Sequence, residues 1–313
     1  MSLLLLLLVA MALILAILVS AAAWESMRPP RRSAGWALGR GLPADPGDLD
    51  VPFESWTLDR PKGVRLPVWD VAGLASDGPV LILLHGWGRS RLTWLPFLKT
   101  WRTRGRRILM IDLQGHGDAT PANAALGDAD VDDVVSLVER LALSEDVPLV
   151  VVGRSLGATV GILSAACCDR VDGVVAVAPY ETLAVPLGNR IRLRGLPARP
   201  TTWLAIRLLA LLGRRPRSTS KAARTLAAPL LIVQGDRDPI SPVSDARRFA
   251  EEATDGRFEL VEGAGHGDHW DLEPDRLDTA VDRLIADAST RRHAIRHRAD
   301  PPVLSSVTDA ESP

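Results

Sequence analysis

Six short runs of almost unbroken apolar residues constrain this chain more than any other feature: Val80–Leu84, Arg107–Asp112, Pro148–Val152, Val171–Ala178, Pro229–Val233 and Arg257–Val261. A strand with one wet face alternates apolar and polar side chains. A run nearly bare of polar members suits a strand covered on both faces, as in parallel sheets flanked by helices. Between these runs lie segments with helical patterning: Arg91–Thr103, Asp128–Leu143, Leu156–Cys168, Val243–Ala253 and Leu272–Ala288. Asp130, Asp132 and Asp133 lie early in the second of these, where the helix dipole favours negative charge. Ahead of them, Val51–Leu58 and Val64–Val71 read as two strands of a hairpin turned by DRPKG (Asp59–Gly63). The pattern predicts an α/β fold on a mostly parallel, doubly wound sheet.

The first twenty-odd residues belong to something else. Leu3–Val19 is uncharged and apolar on every face, and at about 1.5 Å per residue roughly twenty residues span the ~30 Å hydrocarbon core of a bilayer. Residues 1–24 are therefore expected to form a single-pass membrane anchor. A secretory signal peptide is the rival, because Ala21–Ala23 offers a small-residue cleavage site. Against it, no Lys or Arg precedes the apolar run, whereas Arg28, Arg31, Arg32 and Arg40 follow it. That flank predicts a cytoplasmic face for the rest of the chain, with export as the alternative.

Residues 25–50 are rich in Pro, Gly and Arg and read as a juxtamembrane linker. Between Ala178 and Pro229 no strand is expected, and a connection of this length points to a separate cap over about 180–226. Its apolar stretch Trp203–Leu212 is surrounded by Arg190, Arg192, Arg194, Arg199, Arg207, Arg214, Arg215 and Arg217. Two readings fit it: a lipid-facing surface, or a helix with its Leu face on the core and its Arg face in water. Residues 290–313 are polar and are expected to form a disordered tail.

A formal net charge of −1 gives no field that would attract nucleic acid. The two cysteines, Cys167 and Cys168, are adjacent and have no distant partner, so no disulfide framework or cysteine-rich zinc site is expected.

The chemistry centres on GRSLG, Gly153–Gly157. The motif sits between an apolar strand and a small-residue helix, the strand–turn–helix setting that lifts a serine above a sheet edge. Ser155 needs a base, and the base needs an orienting acid. Asp236 and Asp238 follow the strand PLLIV, and His266 and His269 follow the strand RFELV. Nucleophile, acid and histidine thus each fall on a loop at the same edge of the sheet, in the order Ser, Asp, His.

From Val51 to Ala288 the chain resembles the α/β-hydrolase superfamily, on several motifs. LLHGWG (Leu83–Gly88) resembles the family's His-Gly loop, and IDLQGHGDA (Ile111–Ala119) its D-x-x-G-H-G segment. In the latter, Asp118-Ala119 departs from the usual small residue and Ser. GDRDPISP (Gly235–Pro242) and GAGH (Gly263–His266) resemble the acid and histidine loops, which selects Asp238 over Asp236 and His266 over His269. The resemblance implies an α/β-hydrolase domain over 51–289 with the triad Ser155, Asp238 and His266, and an oxyanion hole of the Trp87 and Leu156 backbone N–H groups. It also implies structural rather than catalytic roles for His85 and His116. Cleavage of a carboxylic ester, from a small molecule or a lipid, through an acyl-enzyme is the expected function, with no cofactor and no metal. Thioesterase, peptidase, acyltransferase or haloperoxidase chemistry on the same residues is the alternative, as is a non-catalytic membrane-anchored binding protein.

Overall fold

The computed structural model of the protein describes residues 2–120 and 123–299. The chain opens on α1 (Leu3–Met27), bare over most of its length, and α2 (Ala34–Leu38), a short helix begun by Ser33, whose Oγ accepts the Trp36 N–H. Strands β1 (Phe53–Arg60) and β2 (Val64–Ala72) form the expected hairpin, with Pro61–Gly63 in the turn. Strand β3 (Val80–Leu84) leads into a 3-10 segment, Arg91–Phe97, and the short α3 (Leu98–Arg102). The sequence suggested one continuous helix there, but Pro96 has no N–H to donate and breaks it.

Then β4 (Arg107–Ile111), α4 (Asp128–Leu141), β5 (Leu149–Arg154), α5 (Leu156–Ala165) and β6 (Gly173–Val177) alternate as anticipated. Three helices follow, α6 (Ala184–Leu193), α7 (Ala198–Leu211) and α8 (Thr219–Thr225). The chain closes with β7 (Leu230–Gly235), α9 (Val243–Glu252), β8 (Gly256–Val261), α10 (His269–Leu272) and α11 (Pro274–Ala299). The helix expected over Leu272–Ala288 starts two residues later, at Pro274, because a proline is tolerated only in a helix's first turn.

The eight strands form one sheet in the order β1-β2-β4-β3-β5-β6-β7-β8, antiparallel at β1–β2 and β2–β4 and parallel throughout the rest. Successive residues of the apolar runs go to opposite faces. Val80, Ile82 and Leu84 join the core beneath α4, α5, α8 and α9, while Leu81 and Leu83 join Trp94, Trp101 and α11 on the other side. Every residue of α5 is buried, which explains a helix with no polar face: it lies on the sheet and is covered in turn by α4 and α8.

Three stretches differ from the sequence reading. The region 25–50 is not a loose tether: Ala37, Ala44 and Pro46 are buried, and Arg31 donates to the carbonyls of Gly117 and Ala119. In the stretch expected to form the cap, α8 belongs to the main core through Ala222 and Ala223, leaving the α6–α7 hairpin standing apart. The apolar face of α7 packs neither on that core nor only in water. Ala205 and Leu209 meet Val19, Ala22 and Ala23 of α1.

Residues 290–299, expected to belong to a disordered tail, instead continue α11 to Ala299. Arg292, 3% exposed, binds the fully buried Asp172 carboxylate through Nε and Nη2, and Arg291 and Arg170 reach the same carboxylate. Residues 300–313 lie outside the described residues. Removing one partner of a buried ion pair costs about 3–5 kcal/mol. Arg292→Leu is expected near the lower end, since two guanidinium groups remain; chemical denaturation of the detergent-solubilised protein measures it.

Candidate active site

Ser155 follows directly on β5 and precedes α5, with φ 53° and ψ −112°, a strained backbone for any residue with a Cβ. Its N–H is tied to the Val177 carbonyl at 2.8 Å. The flanking glycines make room for this turn. A Cβ on Gly153 would lie 2.2 Å from the Gly157 carbonyl oxygen, and one on Gly157 would lie 2.4 Å from that of Leu84. No side chain fits where the strand and helix pass so closely.

Asp238 and His266 stand on the loops after β7 and β8, at the same C-terminal edge of the parallel strands as Ser155. The Nδ1 of His266 lies 2.7 Å from Asp238 Oδ2, and its Nε2 lies 3.0 Å from Ser155 Oγ. A ring that donates from Nδ1 to a carboxylate is left with Nε2 as an acceptor facing the hydroxyl. Asp238 is itself fixed on all sides. Its Oδ1 accepts from the Ile240 and Ser241 N–H groups at 2.7 and 3.0 Å, and its Oδ2 also accepts from Gln234 Nε2 at 3.0 Å. Burial alone would raise this carboxyl, but the hydrogen bond and charge of His266, helped by the two amides, outweigh it and hold it below the usual carboxylate range.

The other expected residues are placed as follows. The backbone N–H groups of Trp87 and Leu156 donate to no partner among the described residues, and both residues line a small recess against Ser155. Trp87 is pinned by its Nε1, which donates to the Ser26 carbonyl of α1 at 3.0 Å, and Arg190 covers its ring at 4.1 Å. Asp236 accepts the Gly263 N–H at 2.7 Å, the work of a turn carboxylate away from the serine. His269, expected near the mouth, is instead fully buried at the start of α10, and neither ring nitrogen has a hydrogen-bond partner among the described residues.

His85 and His116 lie beneath the site with ring centroids 5.0 Å apart. His85 places Nδ1 on the Gly86 carbonyl and accepts the Leu113 N–H at Nε2, while His116 places Nδ1 on the Gln114 carbonyl. Burial pushes His85 down to about 4, and burial together with His85 pushes His116 down to about 3. Both are therefore neutral in the fold. The unfolded chain takes up these protons below about pH 6.5, so their contribution to stability is present above that pH and is lost as pH falls toward the folded values. At pH 5 the loss is about 2 kcal/mol for each histidine, from ~1.4 kcal/mol per pH unit. Denaturation at pH 7 and pH 5 is expected to show His116→Gln losing about 2 kcal/mol less than the unmutated protein between the two.

The serine and histidine open into a cavity of about 870 Å³. One wall is Glu25 of the last turn of α1 with the segment after that helix: Pro30, Arg32, Trp36, Leu42 and Leu49. Sequence reasoning missed these residues because their pattern is aperiodic. The one local signal was Ser33 ahead of Ala34–Leu38, a helix start inside the supposed linker. The segment is fastened where the D-x-x-G-H-G resemblance fails. Asp118 takes the Ala34 N–H and a bond from Arg91.

The profile of the family described as "Alpha/beta hydrolase family" matches residues 81–280. The protein phosphatase methylesterase 1 of Mus musculus is 36% identical over 129 residues, covering 39% of this chain and 33% of that one. The pimeloyl-[acyl-carrier protein] methyl ester esterase of Aliivibrio salmonicida is 32% identical over 123 residues, covering 39% of this chain and 43% of that one. The chain thus spans only about a third to two-fifths of the length of these curated relatives. Among solved structures, an esterase of Pyrococcus furiosus superposes with a TM-score of 0.67 at 22% identity, covering 83% of this chain and 97% of that one, a likeness of fold.

Proposed function

Because the chain belongs to the alpha/beta hydrolase family, we propose that it is a serine hydrolase cleaving a carboxylic ester at a membrane surface. The observation that carries this reading is the single imidazole joining Asp238 at 2.7 Å to Ser155 at 3.0 Å. The relatives named for methyl esters support a carboxylic ester as the bond cleaved.

In the mechanism, His266 Nε2 takes the proton of Ser155 as Oγ attacks the ester carbonyl. Asp238 holds the Nδ1–H tautomer and stabilises the imidazolium that forms. The Trp87 and Leu156 amides donate to the tetrahedral oxyanion, each worth about 2.7–4 kcal/mol of barrier reduction when aimed at that oxygen. Collapse expels the alcohol, which takes the proton from His266, and leaves an acyl-enzyme. Water activated by the same ring then attacks it, releasing the acid and restoring Ser155.

The membrane setting rests on α1. From Leu3 to Ser20 the helix spans about 27 Å at about 1.5 Å per residue, close to the thickness of a bilayer core. Farther along, Ala22, Ala23 and Ser26 are buried against the body of the protein. Cleavage after Ala23 would sever α1 from Ala205 and Leu209, which favours a retained anchor over a signal peptide. Trp24, stacked under Arg28 at 3.6 Å, suits the headgroup layer. Leu193, Leu196 and Trp203 are exposed on the hairpin that packs against α1. This combination supports entry of the ester from the lipid side. The basic flank after α1 favours the cytoplasmic face.

The test uses the whole chain in detergent with p-nitrophenyl esters of graded acyl length. Turnover that is lost in Ser155→Ala supports the reading; a folded protein that cleaves none of them overturns it. C-terminal fusions to green fluorescent protein and to alkaline phosphatase report the side. Fluorescence in the membrane fraction is expected, and phosphatase activity would place the domain outside.

A further inference from the structure

The cavity beside Ser155 is charged in a lopsided way. Arg32, Arg89, Arg154, Arg190 and Arg194 line it, against one carboxylate, Glu25. That carboxylate is already taken, by two bonds of 2.6 Å from Arg194. The other four arginines form no ion pair among the described residues. Asp268 and Asp271 lie in the neighbourhood of Arg154 but beyond ion-pairing distance, and Asp268 is occupied with the Gly265 N–H.

Elsewhere in the chain, buried arginines meet carboxylates, as Arg91, Arg104 and Arg292 do. Here aromatic faces stand in their place: Trp36 at 5.1 Å from Arg32, Phe97 at 5.7 Å from Arg154 and Trp87 at 4.1 Å from Arg190. A ring face fixes the guanidinium plane yet accepts few of its five N–H donors, so the donors stay available. Arg154 spends one on the Gly267 carbonyl, next to His266. The groups also oppose one another. Burial and then the charge of Arg89 lower both Arg32 and Arg154 from the ordinary arginine range. A concave wall of mutually repelling guanidinium groups, three of them half-covered by rings and Arg89 exposed, is relieved by an anion of the ligand.

We propose that Arg32, Arg89 and Arg154, with Arg190 on the α6 side of the cavity, form an anion subsite beside Ser155, and that the ester cleaved there carries a carboxylate or a phosphate. The proposal rests on the reading of Ser155 as an esterase nucleophile and adds the substrate class. Arg154 directly precedes Ser155 on the chain, so the subsite comes with the elbow itself. The anchor adds Arg32, which comes from the segment that α1 tethers.

Two matched substrate pairs test it on the whole chain in detergent. The mono-p-nitrophenyl ester of glutaric acid differs from p-nitrophenyl pentanoate by a carboxylate in place of a methyl. Oleoyl lysophosphatidylglycerol differs from monooleoylglycerol by its phosphate-linked headgroup. In at least one pair, kcat/KM is expected to favour the anionic member by about tenfold or more. In the Arg32→Gln/Arg89→Gln double variant that ratio falls toward one. Neither side chain hydrogen-bonds to the described residues, and neutral-ester turnover in the same sample reports an intact triad. Preference in the first pair alone assigns a small carboxylate ester, and in the second alone a phosphate headgroup.

Ratios near one in both pairs, with neutral esters cleaved, overturn the subsite and leave the hydrolase standing. A ratio unchanged in the double variant also overturns it. Calorimetric titration of Ser155→Ala with monomethyl glutarate and with methyl pentanoate reads the subsite without chemistry. Equal binding of the two, together with equal binding of oleoyl lysophosphatidylglycerol and monooleoylglycerol, refutes it even if no ester is turned over.

Discussion

Ser155→Ala is expected to lower kcat on any ester the protein cleaves by about 10⁴–10⁶-fold, with little change in KM. The size follows from the arrangement. His266 and Asp238 have no other hydroxyl to act on, since His266 Nε2 meets Ser155 Oγ and no other hydrogen-bonding group among the described residues. What survives is the background from binding and from the Trp87 and Leu156 amides. Alanine tolerates the left-handed backbone at this position no worse than serine does, so the fold is expected to persist. Steady-state turnover beside a thermal unfolding curve checks both halves. A variant that keeps a tenth of the activity would move the nucleophile elsewhere.

Asp238→Asn is expected to cost about 10⁴-fold in kcat while barely altering the shape of the site. Both carboxylate oxygens accept only: Oδ1 from two backbone amides, Oδ2 from His266 and Gln234. An asparagine keeps one acceptor, and the two loop amides claim it. Its NH₂ then faces His266 and Gln234. The imidazole answers by accepting at Nδ1 and carrying its proton on Nε2, aimed at Ser155 as a donor. A ring in that tautomer cannot take the serine's proton. Asp236→Asn is the matched control. Its Oδ1 accepts a single backbone amide, from Gly263, which an asparagine oxygen also accepts, and activity within about twofold of the parent is expected. A parallel fall in both variants would mean loop damage rather than loss of the orienting charge.

The parts of this molecule legible in the sequence are those where one physical demand dominates. Val80–Leu84 could be read as a covered strand because both its faces are buried, and Gly153 and Gly157 because no side chain fits the turn. The order of Ser155, Asp238 and His266 could be read because each follows its own strand to the same edge. The 3-10 segment at Arg91–Phe97 escaped because helical periodicity extends across Pro96, and the extent of α11 escaped because its last turns are polar apart from the contact of Arg292 with Asp172.

The wall of the cavity was the least legible part. Arg32, Trp36 and Leu42 carry no period, and their place depends on contacts distant in sequence, from Arg31 to Gly117 and from Ala34 to Asp118. In the same way, nothing local in Trp203–Leu212 says that its apolar face meets Ala22 and Ala23 rather than the core. The apolar helix α1 serves in its last turns as a packing surface for the α6–α7 hairpin.

The central claim is that Ser155 forms the covalent acyl intermediate, and a fluorophosphonate tests it most directly. The whole chain in detergent is treated with the probe, digested, and the adduct located by mass spectrometry. The expected result is one modified residue, Ser155, with no adduct in Ser155→Ala. An adduct on another serine, or none on a protein shown to be folded by its thermal transition, would contradict the account.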